Sequence, residues 1–226
     1  MDKLDRLKIL IGKENIIKIK NTTIMVIGCG GVGSFVIESL VRSGIGTIII
    51  VDFDKIDVTN LNRQVMTSKN NIGLNKVDVL ENRIRKISDT KVIKINERIT
   101  LQNIDSLFNC HINYFVDACD DVEIKKEIIR KCLKYNINLI SSMGTGNKLD
   151  PTKLEITDIR KTSYDPIAKI IRKMVKSEKI NHKIMVVSSK EKPLKRDNIG
   201  SSCFVPATAG LLIASYIINS IIGEIC

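Results

Sequence analysis

Thr23-Ile-Met-Val-Ile-Gly-Cys-Gly-Gly-Val-Gly-Ser34 is the stretch from which the fold can be read. The apolar run Ile24 to Ile27 reads as a buried strand. Gly28, Gly30, Gly31 and Gly33 let the backbone turn tightly and approach a phosphate, and Ser34 opens a helix whose N-terminal N–H groups favour an anion. This much suits NAD and ATP equally. The next apolar run, Thr47 to Val51, ends on Asp52, where a ribose hydroxyl would be held, with Asp54 two residues on. Asn60-Leu-Asn-Arg-Gln64 and Lys76 follow, and hydride transfer has no use for such charges. Arg63 and Lys76 read as ligands for phosphate, Asn62 and Gln64 as their polar companions.

Further along, strand-like runs at Lys91–Asn96, Tyr114–Asp117 and Ile137–Ser141 alternate with helical patterns at Val32–Arg42, Lys76–Ile87 and Glu123–Leu133. Such alternation predicts βαβ units and an α/β fold: a doubly wound, Rossmann-like, mostly parallel sheet. After Ser142 the pattern changes to a glycine-rich turn, Met143 to Pro151, with added strands at Lys153–Asp158 and Lys183–Val187. Between them Asp165-Pro166 is a cap and first-turn proline for a basic amphipathic helix, Ile167–Lys176. The basic loop Ser188–Ser202 is expected to be mobile. We divide the chain into a core at 1–150 and a C-terminal extension of the same domain at 151–226.

In an open parallel sheet, ligands sit at the carboxyl ends of the strands, so Gly28–Gly33, Asp52, Asp117 and Asp120 should share one crevice. There ATP would lie with its phosphates over the glycines, while Arg63 and Lys76 steady charge at the α-phosphate. Asp120 or Asp121 would hold Mg²⁺, which takes one or two carboxylates plus phosphate oxygens and water.

At 226 residues and 43% hydrophobic, the chain can bury one substantial core. Of its net charge of +11, residues 151–198 carry +7, with 13 Lys or Arg against 6 Asp or Glu. A charge run of this kind is either a solvated face or a footprint for a polyanion. The six cysteines (29, 110, 119, 132, 203 and 226) include no Cys-x-x-Cys pair, which argues against structural zinc and for reduced, mostly buried thiols. The charged start Met1 to Arg6 lacks the apolar stretch of a signal peptide, so a cytoplasmic protein is expected. Val205 to Ile222 is nearly long enough to span a bilayer, but Pro206, Thr208, Ser215, Asn219 and Ser220 break it. It reads as a buried or interface helix.

Gly28 to Ser34, Val51 to Asp54, Asn60 to Gln64, Gly73 to Lys76 and Asp117 to Asp120 together resemble the adenylation core of the ubiquitin-activating E1-like superfamily, over residues 6 to about 141. That resemblance implies a homodimer in which Arg6 reaches the partner's nucleotide phosphates. Ser141 to Pro151, Asp158 to Ser163, Asp165 to Lys169 and Cys203 to Gly210 look like the branch of tRNA threonylcarbamoyladenosine dehydratases. The likeness implies ATP-dependent adenylation and cyclisation of that nucleoside in tRNA, with RNA rather than DNA as partner. It also implies an alkali ion, K⁺ or Na⁺, near Gly144 and Gly146, and an association with a cysteine-desulfurase sulfur-acceptor system. Arg160, Lys161, Lys169, Arg172, Lys173, Lys176 and the Lys190–Arg196 loop are then the tRNA footprint, bound mainly through phosphates.

The alternative within the superfamily is an activator of a ubiquitin-like sulfur carrier ending in Gly-Gly. The missing Cys-x-x-Cys and the basic C-terminal third count against it. A third class is an NAD-dependent oxidoreductase or a nucleotide-sensing module, in which Arg63 and Lys76 would matter little. Cyclisation needs no protein nucleophile, so Cys119 and Cys29 are expected to be apolar fillers.

Overall fold

A computed structural model describes residues 2–224; Cys226 lies outside them. The strand read from Ile24 to Ile27 is β1 (Thr23–Ile27), and its side chains alternate between two cores. β2 (Thr47–Val51), β3 (Lys91–Ile95), β4 (Tyr114–Asp117), β5 (Asn138–Ser142), β6 (Leu154–Asp158) and β7 (Met185–Ser189) complete a seven-stranded sheet of order β3-β2-β1-β4-β5-β7-β6. Every pairing is parallel except β6 with β7. Both faces of such a sheet must be covered, which is why its central strands are almost wholly apolar.

Ile24, Val26, Ile48 and Ile50 face one core, closed by α2 (Lys13–Lys20), α3 (Gly33–Arg42), α4 (Lys76–Arg85) and α7 (Phe204–Ile222). Met25, Ile27, Ile49, Val51 and Phe115 face the other, beneath α5 (Val122–Lys134). α6 (Pro166–Ser177) packs its Ala168, Ile171, Met174 and Val175 in a third cluster with Val186 of β7. Residues 151–224 thus complete the same sheet and cores: β7 pairs with β5, and α7 lies on α3.

The crossing of α7 over α3 is close because Gly210 has no side chain; a Cβ there would sit 2.6 Å from the Val32 carbonyl oxygen. By length and composition α7 could cross a bilayer, yet Val205, Ala209, Ile213 and Ile217 are buried in the core.

Three differences from the sequence reading have physical causes. The reading has no element before Thr23, but α1 (Asp5–Ile11) and α2 flank Gly12, whose φ of +83° breaks what would otherwise be one helix. β7 starts two residues later than expected, because Met185 is the first residue in register, opposite Ile140 of β5 and Asp158 of β6. The 188–202 loop loses Ser188 and Ser189 to β7, and its remainder is tied down, as described below.

Candidate functional site

Strand order reverses between β1 and β4, and at their carboxyl ends the structure opens a cavity of about 1150 Å³. Its wall includes Gly28, Gly30, Gly31, Asp52, Asp54, Asn62, Arg63, Gln64, Lys76 and Asp120, so the crevice expected from sequence gathers residues from five separate segments. Gly144, Thr145, Gly146 and Asn147 close the side nearest β5.

The glycine loop divides its labour. Gly28 has φ +85°, and a Cβ on it would lie 2.5 Å from the Ala118 carbonyl oxygen; one on Gly33 would lie 1.8 Å from the Gly28 oxygen. These two permit helix α3 to approach the strand end, while Gly30 and Gly31 face the cavity. Ser34 is buried away from the cavity wall. Its N–H donates to the Gly30 oxygen and its hydroxyl accepts from the Val65 N–H, so it shapes the loop instead of offering a free N–H to an anion.

Asp52 accepts the Cys29 N–H at 2.7 Å through one oxygen and the Asp54 N–H at 2.8 Å through the other. Burial pushes its carboxyl above the usual range, against the pull of nearby Lys76. Lys76, read from sequence as a phosphate ligand, is buried in the cavity wall, with Nζ 2.6 Å from Asp54 Oδ2 and 3.9 Å from Asp52 Oδ2. Arg63 is more open, donating through one nitrogen to the Thr59 oxygen and to Asn62 Oδ1. Gln64 Oε1 is buried without a hydrogen-bond partner among the described residues, an open acceptor in a wall built for a polar ligand.

At the end of β4, Asp120 is exposed and lines the cavity. Asp121 is committed elsewhere, capping α5 by accepting from Glu123 and Ile124 N–H. Asp117, expected in the crevice, is fully buried beneath it. Its carboxylate accepts from Lys125 Nζ at 3.0 Å through both oxygens and from the Ser141 hydroxyl at 2.6 Å, and Lys125 also donates to the Ser142 oxygen at 2.9 Å. Sequence reasoning missed Lys125; its position eight residues after an acidic strand end was the available signal.

Neither Cys119, on the cavity wall, nor Cys29, in the glycine loop, is poised for attack. Burial, reinforced by Asp117, raises Cys119 well above the ordinary thiol range, and its Sγ donates to Asp117 Oδ1 at 3.1 Å. Burial and Asp52 do the same to Cys29. The five described cysteines are free, but Cys110 and Cys203 are exposed, against the expectation of mostly buried thiols.

The turn after β5 does not suit an alkali ion. The Gly144 carbonyl accepts from Lys148 Nζ at 2.6 Å, and that buried ammonium is 3.1 Å from Asp165 Oδ2. A second cation there would meet a fixed positive charge. Gly146 is packed instead against Ile199. Asp165 caps α6 through the Ala168 N–H, as the sequence predicts.

Of the basic footprint, Lys161, Lys169, Lys173 and Lys176 are exposed. Arg172 is turned inward to the Thr162 carbonyl and hydroxyl, and Arg160 ties Asp158 to the Ile180 and His182 carbonyls, so both hold structure. Arg6 is exposed on α1 and does not line this chain's own cavity.

The model of the ThiF family matches residues 4–225, nearly the whole described chain. The chain belongs to the ThiF family. Over its full length this ThiF-family chain is 37% identical to tRNA threonylcarbamoyladenosine dehydratase of Bacillus subtilis (strain 168), covering 96% of that protein. The crystal structure of E. coli tRNA N6-threonylcarbamoyladenosine dehydratase, TcdA, in complex with ATP matches it with a TM-score of 0.92 at 31% identity, over 98% of this chain and 94% of the other. The same protein in complex with AMP gives 0.91 at 32%, over 97% and 94%. The sheet, its order and the ThiF membership bear out the fold expected from sequence.

Proposed function

We propose that this ThiF-family protein is an ATP-dependent tRNA threonylcarbamoyladenosine dehydratase. The carrying observation is that a full-length match to such enzymes coincides with a cavity lined by the glycine loop, Asp52, Arg63 and Lys76, on whose wall burial pushes the Cys119 thiol above its ordinary range.

A carboxylate becomes a good electrophile only when its oxygen is made a leaving group. In this reading a carboxylate oxygen of the threonyl group attacks the ATP α-phosphorus and pyrophosphate departs. The carbamoyl group of the same side chain then closes on the acyl carbon and AMP departs with that oxygen, so one water is lost in net terms. The attacking group is already tethered, and proximity supplies much of the rate.

Gly30 and Gly31 leave room for the phosphates, Gln64 offers its open Oε1, and Asp52 and Asp54 stand at the ribose end. Arg63 and Lys76 stabilise charge as it develops on the α-phosphate. Asp120, an exposed carboxylate on the cavity wall, would hold Mg²⁺, which when bound neutralises phosphate charge. Lys161, Lys169, Lys173 and Lys176 with the 190–196 loop would meet tRNA phosphates. A second copy of the chain would bring Arg6, and the protein would work in the cytoplasm.

The test is mass spectrometry of nucleosides from tRNA carrying uncyclised threonylcarbamoyladenosine, incubated with the protein with and without ATP and Mg²⁺ and digested mildly. An ATP-dependent loss of one water supports the reading. An unchanged nucleoside with ATP still bound would point to a Gly-Gly-ended carrier protein instead.

A further inference from the structure

The turn that follows β5 joins more of the molecule than its length suggests. Lys148 donates to the Gly144 oxygen at its start and to Asp165, the cap of α6. Its neighbour Asn147 holds a left-handed φ of 56°. From that position it donates its N–H to the Gly200 oxygen, accepts the Gly200 N–H through its side chain, and accepts the Leu194 N–H through its carbonyl. Two residues on, the Leu149 and Asp150 N–H groups donate to the Glu191 carboxylate. The segment 190–201 is therefore gripped at its beginning, middle and end by residues 147–150. Its far end is also held by Asn62, which donates to the Ser201 oxygen and accepts from Arg63. Pro193, Ile199 and Ser201 of this strap line the cavity, and Lys195 and Arg196 on it are exposed.

We infer that Lys148 is a positioning residue for the reaction proposed above, on which this inference rests: its buried ammonium fixes the 144–150 turn and, through Asn147, holds the strap as one wall of the site. A lysine is suited to this. Taking an ammonium out of water is tolerable only with close acceptors, so the turn can adopt no arrangement that strips Lys148 of Gly144 and Asp165. Asp165 is itself buried and needs the cation in return. Cation, turn and helix cap therefore form or fail together, and the strap follows.

Two variants separate positioning from charge balance. Lys148→Met removes the ammonium but strands the Asp165 carboxylate, so the fold itself is at risk. The double variant Lys148→Met/Asp165→Asn removes both charges, and asparagine remains a competent cap for α6. ATP affinity, turnover on modified tRNA, and tryptic cleavage after Lys195 or Arg196 are measured on wild type and the double variant. We expect ATP affinity within about twofold, turnover reduced about tenfold or more because a misplaced wall misaligns the acyl group, and faster strap cleavage with the rest of the chain intact. Wild-type turnover and wild-type strap protection in the double variant would overturn the inference, leaving Lys148 as a mere counter-ion for Asp165. If wild type itself fails to dehydrate the nucleoside, the functional reading falls, while the cleavage rates still decide whether Lys148 holds the strap.

Discussion

Replacing Arg63 with alanine removes a partly exposed guanidinium whose hydrogen bonds among the described residues go to Thr59 and Asn62. Turnover should fall by about 10²–10³-fold, the usual cost of deleting a group that stabilises transition-state charge. The melting temperature should stay near wild type, and a wild-type rate would remove Arg63 from the chemistry. Lys76→Met is expected to behave differently, although the two positions look alike in sequence. Activity should be lost, and stability should also drop by about 2 kcal/mol, because buried Asp52 and half-exposed Asp54 lose their cation. Adding Asp54→Asn should recover part of the stability, read by urea unfolding, and none of the turnover. Glycines, Asp52 and Arg63 were legible because their spacing is itself the signal. The inward turn of Lys76, Lys125 and Lys148 was not, since a lysine on a helix or turn reads as solvated until a distant acid is brought beside it.

At the scale of elements, strand and helix boundaries followed apolar periodicity closely where both faces are covered. They failed at α1, which has no buried residue, and at α2, where only Ile16 and Ile19 are buried, so no stripe develops. Contacts between helices were equally hidden. Glu38 of α3 accepts from Arg83 of α4 at 2.7 and 3.0 Å and from Arg42 on its own helix. Burial alone would raise its carboxyl, but the hydrogen bonds from Arg83 and Arg42 outweigh it and hold the group below its ordinary range. A folded-state pKa below the unfolded one adds stability above the unfolded value, and that stability is lost as pH falls through the folded one. Glu38→Gln should therefore cost about 1 kcal/mol at neutral pH, with the gap to wild type closing below about pH 4. A constant gap across denaturant melts at several pH values would contradict this. On α6 the exposed triad Lys169, Lys173 and Lys176 should act as one surface: reversal to glutamate should raise the Michaelis constant for tRNA and flatten its salt dependence by about one unit per lost phosphate contact. ATP affinity should not change. Arg172→Glu should instead loosen α6 from Thr162 and lower the melting temperature.

At the scale of the whole molecule, the doubly wound parallel sheet and the position of the cavity followed from the βαβ pattern, whereas Arg6 lies away from that cavity. This residue is exposed on α1, outside its own chain's cavity, and α1 also displays Ile9 and Leu10, each 79% exposed. Apolar side chains so open on a short helix, beside an arginine, suit burial against a second copy. In a two-fold dimer each copy would offer Arg6 to the other's cavity, since such an interface is self-complementary. Arg6→Ala alone and Arg63→Ala alone should then both be inactive, for different reasons. The first keeps an intact cavity without its visiting arginine; the second keeps the arginine beside a damaged cavity. Mixed and allowed to exchange subunits, they form dimers in which one of the two sites is complete. Random exchange makes half the dimers mixed, so about a quarter of wild-type turnover should return. An Arg6 acting within its own chain could never be complemented in this way, and a mixture as inactive as its components, with exchange verified by a mass tag, would place Arg6 in its own chain's site or outside the chemistry.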